Sequence, residues 1–142
     1  MGRRLLVGVL VGLLWGSLGY AEPIAEETAI RAIIGEAEGE SYAGKVALAY
    51  ALQNRGSIRG VYGYKAISTR LGGYYRGDRK IAEGTVKEAI KALKWANSHP
   101  EADTTSGADH WEAVGRFGEP YWAKSMIKTV KIGAHQFYKE GI

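Results

Sequence analysis

The 142-residue chain contains no cysteine. No disulfide can hold it together, so the fold must rest on the burial of apolar side chains in a core. The length suits one domain with a single core and leaves no room for a second. With no cysteine and only three histidines, the chain is also a poor candidate for a structural zinc site.

The beginning of the chain has the pattern of an export leader. Two arginines precede an apolar run over residues 5–18, and the small residues Gly19 and Ala21 stand at the positions that a signal peptidase recognises. The run is about 14 residues long, whereas roughly 20 span a bilayer, so cleavage is favoured over retention as a membrane anchor. We predict a signal peptide over residues 1–21, a mature domain over residues 22–142, and a location in the periplasm, the cell wall or outside the cell.

The charge of the chain argues against a nucleic-acid partner. The formal net charge of +4 falls to near +2 when the two arginines of the leader are removed. Nucleic-acid-binding domains carry a dense basic stripe, and this sequence has none. An uncleaved leader is the only membrane contact that we expect, and we expect the mature domain to be a monomer.

Hydrophobic spacing predicts a mostly helical domain with a small β element. Helices are predicted over residues 24–35, 43–55 and 81–97. Residues 64–79 have the composition of a surface loop that carries aromatic side chains, and residues 103–117 suit a loop with a short hairpin. A last helix is predicted over residues 121–132, followed by a short extended segment over residues 133–138. The predicted class is α+β.

Three glutamates follow the first predicted helix closely, at Glu36, Glu38 and Glu40. Ala32 and Ile33 precede Glu36 by four and three residues, so a helix places Glu36 over its apolar face. Burial and the electronegative end of a helix both disfavour a charged carboxyl, which can then keep a proton and donate it to a leaving oxygen. Glu38 and Glu40 are expected to point to water. On spacing alone, a solvated turn of surface carboxylates is the more common outcome, and a calcium site is a weaker alternative.

Aromatic residues outside clean core periodicity are candidate contacts for sugar rings, which stack on flat aromatic faces. They are Tyr74, Tyr75, Trp111, Tyr121 and Tyr138. The alternative is packing in the core, to which we assign Trp95 and Trp122. His110 and His135 suit a hydrogen bond to substrate or a structural one. No Gly-x-Ser-x-Gly or His-Glu-x-x-His pattern occurs, so the chemistry of serine and zinc hydrolases is not indicated.

Three sequence blocks run in order through the mature chain. The first opens with Glu36-Ala37-Glu38-Gly39-Glu40, the second ends in His110-Trp111, and the third ends in His135-Gln136-Phe137-Tyr138. In this order and spacing the blocks resemble the cell wall hydrolase family typified by the spore cortex-lytic enzyme SleB. The resemblance implies a lysozyme-like single domain, with a helical body and a small β element flanking a saccharide groove.

The resemblance also implies which residues form the site. Glu36 matches the catalytic acid, and Glu40 matches a second glutamate that we assign a supporting role. The candidates for substrate binding are Tyr75, Thr105, His110, Trp111, His135 and Tyr138. Tyr75 comes from residues 58–80, where the chain departs from the family pattern. No metal and no cofactor is implied.

The implied substrate is the glycan strand of peptidoglycan, cut at the β-1,4 bond between N-acetylmuramic acid and N-acetylglucosamine. As a lytic transglycosylase, Glu36 would protonate the linking oxygen and then accept the proton of the C6 hydroxyl, which closes a 1,6-anhydro ring. A muramidase-type hydrolase is the rival reaction, and it requires a second carboxylate about 5–9 Å away. Asp103, Asp109 and Glu112 are the candidates for that partner. A peptidoglycan-binding module without catalysis and a structural exported protein are two further hypotheses for the chain.

Overall fold

The computed structural model describes residues 23–141. The helices are α1 (Glu26–Ala37), α2 (Tyr42–Arg55), α3 (Glu83–Ser98) and α4 (Val114–Phe117). The strands are β1 (Ile67–Arg70), β2 (Gly73–Arg76), β3 (Arg79–Lys80), β4 (His110–Glu112), β5 (Met126–Ile132) and β6 (His135–Glu140). Short 3₁₀ turns occupy Gly63–Ala66, Pro100–Ala102 and Tyr121–Ser125. The predicted signal peptide lies outside the described residues, and within them no helix is long and apolar enough to cross a membrane.

The helices α1, α2 and α3 form a helical body that contains most of the core. Ala47, Ala49 and Ala51 of α2 are fully buried, and their small side chains let the neighbouring helices approach closely. The hydroxyl of Ser41 caps α2 by accepting the N–H of Gly44 at 3.3 Å. The three helices predicted from hydrophobic spacing are confirmed, with ends displaced by no more than two residues.

The strands β1, β2 and β3 form an antiparallel sheet, which we call the wing. Leu71 and Gly72 make the tight turn between β1 and β2 with positive φ angles of 50° and 74°, the geometry that matches the twist of a hairpin. The prediction of a loop over residues 64–79 is therefore wrong for most of that segment. The strands are short and no face of the wing is deeply buried, so the sequence lacks the apolar–polar alternation that identifies a strand.

The second sheet has the strand order β4–β6–β5, with antiparallel pairing throughout. The predicted helix over residues 121–132 is wrong, because a 3₁₀ turn ends at Ser125 and β5 begins at Met126. β5 is rich in β-branched residues, which favour extended backbone, and pairing with β6 fixes it. The extended segment predicted over residues 133–138 is confirmed for residues 135–138, which begin β6, whereas residues 133–134 form the turn before it.

The segment over residues 103–117 is more ordered than predicted. Instead of a local hairpin, it contributes β4, which pairs with the distant strand β6 in the register His110↔Tyr138. Phe137 of β6 is fully buried and joins this sheet to the core of the helical body. The predicted α+β class, mostly helical with a small β element, is confirmed, with two small sheets rather than one.

Glu38 attaches the wing to the end of α1. Its carboxylate accepts hydrogen bonds from the guanidinium groups of Arg76 at 3.0 Å and Arg79 at 2.7 Å. Arg76 also donates to the carbonyl oxygen of Gly35 at 3.2 Å. The bond from Arg79, and then that from Arg76, hold the pKa of Glu38 below its ordinary value of 4.5 against the opposing effect of burial. The expectation that Glu38 points to water is therefore wrong.

The substitution Glu38→Gln is expected to reduce the free energy of unfolding by up to about 1 kcal/mol at pH 7. Because the folded state lowers the pKa of Glu38, the stabilisation is present above pH 4.5 and is lost as the pH falls through the lower folded value. Urea unfolding at pH 7 and pH 3 measures both effects, and the difference in stability between the variant and wild type should be smaller at pH 3 than at pH 7. Glu119→Gln, which removes only the exposed ion pair with Lys128, is the control. Equal losses from the two substitutions at pH 7 would contradict the attachment role.

Candidate active site

An open cleft of about 1540 Å³ runs between the end of α1, the loop before the wing and the second sheet. The residues that line it include all three glutamates of the first sequence block, Glu36, Glu38 and Glu40. None of the three is fully exposed. The arrangement as a solvated turn is therefore excluded, and these carboxylates belong to the wall of a cleft.

Glu36 lies in the last turn of α1, and each of its carboxyl oxygens accepts one hydrogen bond. The indole N–H of Trp111 in β4 donates to Oε1 at 2.9 Å. The backbone N–H of Gly63, at the start of a 3₁₀ turn, donates to Oε2 at 2.7 Å. Two donors from separate parts of the chain thus fix the position and rotation of a half-buried carboxyl group that borders open space.

The bond from Gly63 depends on an unusually close approach between two backbones. A Cβ atom on Gly35 would lie 1.9 Å from the carbonyl oxygen of Gly63, and one on Gly63 would lie 2.5 Å from Oε2 of Glu36. Real Cβ atoms do not occur at such distances from other atoms. Glycine is therefore required at position 35, where the Cβ atom would meet backbone, whereas a Cβ atom on Gly63 would displace the carboxyl of Glu36.

Glu40 connects the loop between α1 and α2 to the second sheet. Its Oε1 accepts the backbone N–H of Ala134 at 3.1 Å, at the turn between β5 and β6. A Cβ atom on Gly133 would lie 2.0 Å from the same oxygen. The ammonium of Lys45, which is almost fully buried, donates to the backbone carbonyl of Glu40 at 2.6 Å. These contacts place Glu40 beside the cleft in the position of a structural support.

His135 lines the cleft but is only 4% exposed. Burial lowers the pKa of His135, and the carboxylates of Glu40, Glu36 and Glu112 oppose this effect in that order. The net lowering keeps the imidazole neutral at neutral pH. The cleft therefore has a neutral histidine among three carboxyl groups.

His110 and Trp122 form a second part of the cleft wall. Nδ1 of His110 lies 2.9 Å from Oδ1 of Asp109, and its ring lies 5.3 Å from that of Trp122. Trp122 is half-buried at the cleft and is not a core residue as predicted. Trp95, also predicted to be in the core, is 46% exposed and stacks on His99.

Three of the candidates for substrate binding are not brought to the cleft. Thr105 is fully buried, donates to Oδ1 of Asp103 at 2.6 Å, and so orders its own loop. Tyr138 is fully buried with its ring edge-on against Trp122. Tyr75 lies on the wing, under the guanidinium of Arg70 at 4.4 Å from the ring centroid. His110, Trp111 and His135 do line the cleft, together with Glu36 and Glu40.

The cleft also contains residues that the sequence did not identify as substrate contacts. Tyr62 and Phe117 line it with exposed rings, and Arg116 lies beside Phe117. Each ring is next to a glycine, Gly63 or Gly118, and this association of an aromatic with a loop glycine is the only sequence signal that could have identified them.

One possible partner carboxylate for hydrolysis lies in the cleft. Glu112, at the end of β4, is part of its lining. Asp103 is instead bound by the backbone N–H groups of Thr105 and Gly107. Asp109 lies against His110 and is not part of the lining.

A helical body, two small sheets and a carboxyl group at a helix end facing an open cleft define a lysozyme-like α+β domain. The domain is similar to the catalytic domain of the germination-specific lytic transglycosylase SleB from Bacillus anthracis, with a TM-score of 0.53 and 26% identity over 80% of this chain and 93% of that one. The catalytic domain of the SleB protein of Bacillus cereus has the same fold, with a TM-score of 0.51 and 21% identity over 87% of this chain and 99% of that one. No protein-family profile and no curated protein matches the chain. The resemblance to SleB catalytic domains noted in the sequence is confirmed by these structures.

Gly35→Ala is expected to reduce the free energy of unfolding by about 1–3 kcal/mol, because the added methyl group would meet the backbone of Gly63 and force the turn away from α1. Gly84→Ala is the matched control. Nothing lies within 4 Å of a Cβ atom at that helical position, so the substitution should raise stability by about 0.5–1 kcal/mol. Urea unfolding followed by tryptophan fluorescence measures both. A Gly35→Ala variant as stable as wild type would contradict the required close approach.

Proposed function

We propose that this chain cleaves the glycan strands of peptidoglycan as a lytic transglycosylase, with Glu36 as the acid and then the base. The observation that carries the proposal is the carboxyl of Glu36, held by two N–H donors at the edge of an open cleft. The likeness to a Bacillus anthracis catalytic domain that is named as a lytic transglycosylase supports it. The substrate bond is the β-1,4 linkage from N-acetylmuramic acid to N-acetylglucosamine.

In the first step, Glu36 gives its proton to the linking oxygen, the bond from the anomeric carbon to that oxygen breaks, and positive charge develops on the muramic acid ring. Glu36 becomes a carboxylate as this happens. The N–H groups of Trp111 and Gly63 already point at its two oxygens, so they stabilise the developing negative charge without rearrangement.

In the second step, the carboxylate of Glu36 accepts the proton of the C6 hydroxyl as that oxygen bonds to the anomeric carbon. The 1,6-anhydro ring closes, and Glu36 is protonated again for the next cycle. Because one residue performs both proton transfers, no second carboxylate is required. Glu40 and His135 support this arrangement from the same wall, and His110 and Trp111 face the strand.

The remaining parts of the proposal concern the whole chain. Residues 1–21 act as an export leader and residues 22–142 as the catalytic domain, which works as a monomer outside the cytoplasm. The alignments with this chain cover 93% and 99% of the two SleB catalytic domains, which supports a single catalytic unit in residues 23–141.

Glu36→Gln tests the assignment of the acid. Glutamine keeps the size of the side chain but has no proton to donate, so the rate of release of soluble fragments from purified sacculi should fall by about 100-fold or more. Glu101→Gln, on an exposed turn away from the cleft, should cleave at the wild-type rate. Both variants are checked by thermal unfolding. Unchanged cleavage by a folded Glu36→Gln variant would eliminate Glu36 as the acid, and a wild type that binds sacculi without cutting them would identify a binding module.

Glu112 gives a second candidate reaction, a muramidase-type hydrolysis, because it is a carboxylate in the lining of the same cleft. In hydrolysis, Glu112 would activate a water molecule or attack the anomeric carbon, depending on its separation from Glu36. The two reactions leave different sugar ends: an anhydro end is lighter than a hydrolysed end by one water.

Glu112→Gln distinguishes these reactions by mass spectrometry of the released fragments. For a transglycosylase, both wild type and variant produce anhydro ends, and the variant keeps a rate within about tenfold of wild type. For a hydrolase, wild type produces reducing ends and the variant loses about 100-fold or more in rate. Reducing ends from wild type would overturn the transglycosylase proposal while leaving the role of Glu36 in place.

A further inference from the structure

The exposed aromatic rings of the protein concentrate at the cleft. Within residues 23–141, four aromatic side chains are exposed, and three of them line the cleft: Tyr62 at 74%, Phe117 at 66% and Tyr121 at 87%. The fourth, Trp95, is covered on one face by His99. Exposed aromatic surface is unfavourable in water unless a partner covers it, so its concentration at one cleft indicates a binding surface.

Two of these three rings, Tyr62 and Phe117, occupy the segments that also hold the carboxyl of Glu36. Tyr62 directly precedes Gly63, whose N–H bonds to Oε2. Phe117 ends α4, which follows β4 and therefore Trp111, whose indole bonds to Oε1. The same two segments that fix the position of Glu36 thus present two of the three exposed rings.

A cation accompanies a ring in each segment. Nζ of Lys65 lies 6.0 Å from the centroid of the Tyr62 ring, and Cζ of Arg116 lies 5.1 Å from that of Phe117. Among the described residues, neither cation forms an ion pair with a carboxylate. A cation held over a ring remains able to bind an anion from outside the protein.

We infer that these two ring-and-cation pairs, Tyr62 with Lys65 and Phe117 with Arg116, bind a glycan strand that carries carboxylate-bearing peptide substituents. The rings stack on the sugars, and the cations bind the carboxylates of the peptides. Peptidoglycan has both groups, since its muramic acid residues carry peptides with free carboxylates. The inference rests on the proposed function, and it adds a preference for peptide-substituted strands over bare ones.

The test measures binding to two forms of sacculi, intact ones and ones stripped of peptides by an amidase; the stripped form consists of free glycan strands, which are coupled to beads so that they still sediment. All variants carry Glu36→Gln, so that strands are not cut during sedimentation. Replacing both cations, with Lys65→Gln and Arg116→Gln, should weaken binding to intact sacculi by about tenfold and leave binding to stripped sacculi unchanged. Replacing both rings, with Tyr62→Ala and Phe117→Ala, should weaken binding to both forms by about tenfold.

The chain supplies a matched control in Lys91, which lies 5.1 Å from the ring centroid of Tyr42 and is not part of the cleft lining. Lys91→Gln removes one cation of the same kind from another ring, and it should bind both forms of sacculi as the background does. The preference of the parent protein for intact sacculi should also decline as salt is raised, because added ions screen exposed charges.

The inference is overturned if the variant without the two cations binds intact sacculi as the parent does, or if it loses binding to intact and stripped sacculi equally. Failure of the proposed function looks different. If the wild type shows no cleavage, and the variants that lack the cations or the rings lose binding as expected, the two pairs serve a binding module. If cleavage depends on Glu36 and the variants bind normally, the inference alone is wrong.

Discussion

The arrangement around Glu36 depends on a contact between two backbones at Gly35 and Gly63. No side chain larger than hydrogen fits at Gly35, and this contact lets the backbone N–H of Gly63 reach the carboxyl of Glu36. The second donor, Trp111, is 75 residues away in sequence and requires the second sheet to pack beside α1. A carboxyl held by one donor could rotate, whereas two donors on different oxygens define its plane. The helical body, the turn before the wing and the second sheet must therefore assemble correctly before the site exists.

The three glutamates at the end of α1 each connect that helix to a different part of the molecule. Glu36 accepts from the turn before the wing and from β4, Glu38 from two arginines of the wing, and Glu40 from the turn between β5 and β6. Alternate residues of a fraying helix end point in different directions, which makes this separation possible. The short run Glu36-Ala37-Glu38-Gly39-Glu40 thus joins the helical body to both sheets. It does so at the wall of the cleft, where small displacements matter most.

The three long helices and the position of Glu36 at a helix end could be predicted from the sequence, and half of the proposed substrate contacts do line the cleft, whereas the wing and the exposed rings could not be predicted. The apolar spacing of a helix involves residues only three or four positions apart, so the sequence itself predicts α1, α2 and α3. The wing is short and lacks a deeply buried face, so no such pattern exists for it. Thr105 and Tyr138 show a further limit, since a motif does not reveal whether a residue contacts substrate or supports the loop behind it. Tyr62 and Phe117 are the opposite case: they line the cleft although no motif includes them. The exposure of a ring depends on contacts that only the folded chain defines.

Glu36 and Glu38 are two residues apart, yet the hydrogen-bond donors of Glu38 are charged and those of Glu36 are neutral. Two guanidinium groups hold Glu38 and favour its ionised form, and the pKa of Glu38 is lowered accordingly. Glu36 is bound by an indole N–H and a backbone N–H, which orient a carboxyl but are neutral and weaker than charged donors. Burial keeps the nearby His135 neutral, so no positive charge is added there either. The same helix end therefore carries one carboxylate that two charged donors tie to the wing and one carboxyl group that two neutral N–H donors orient at the edge of the cleft.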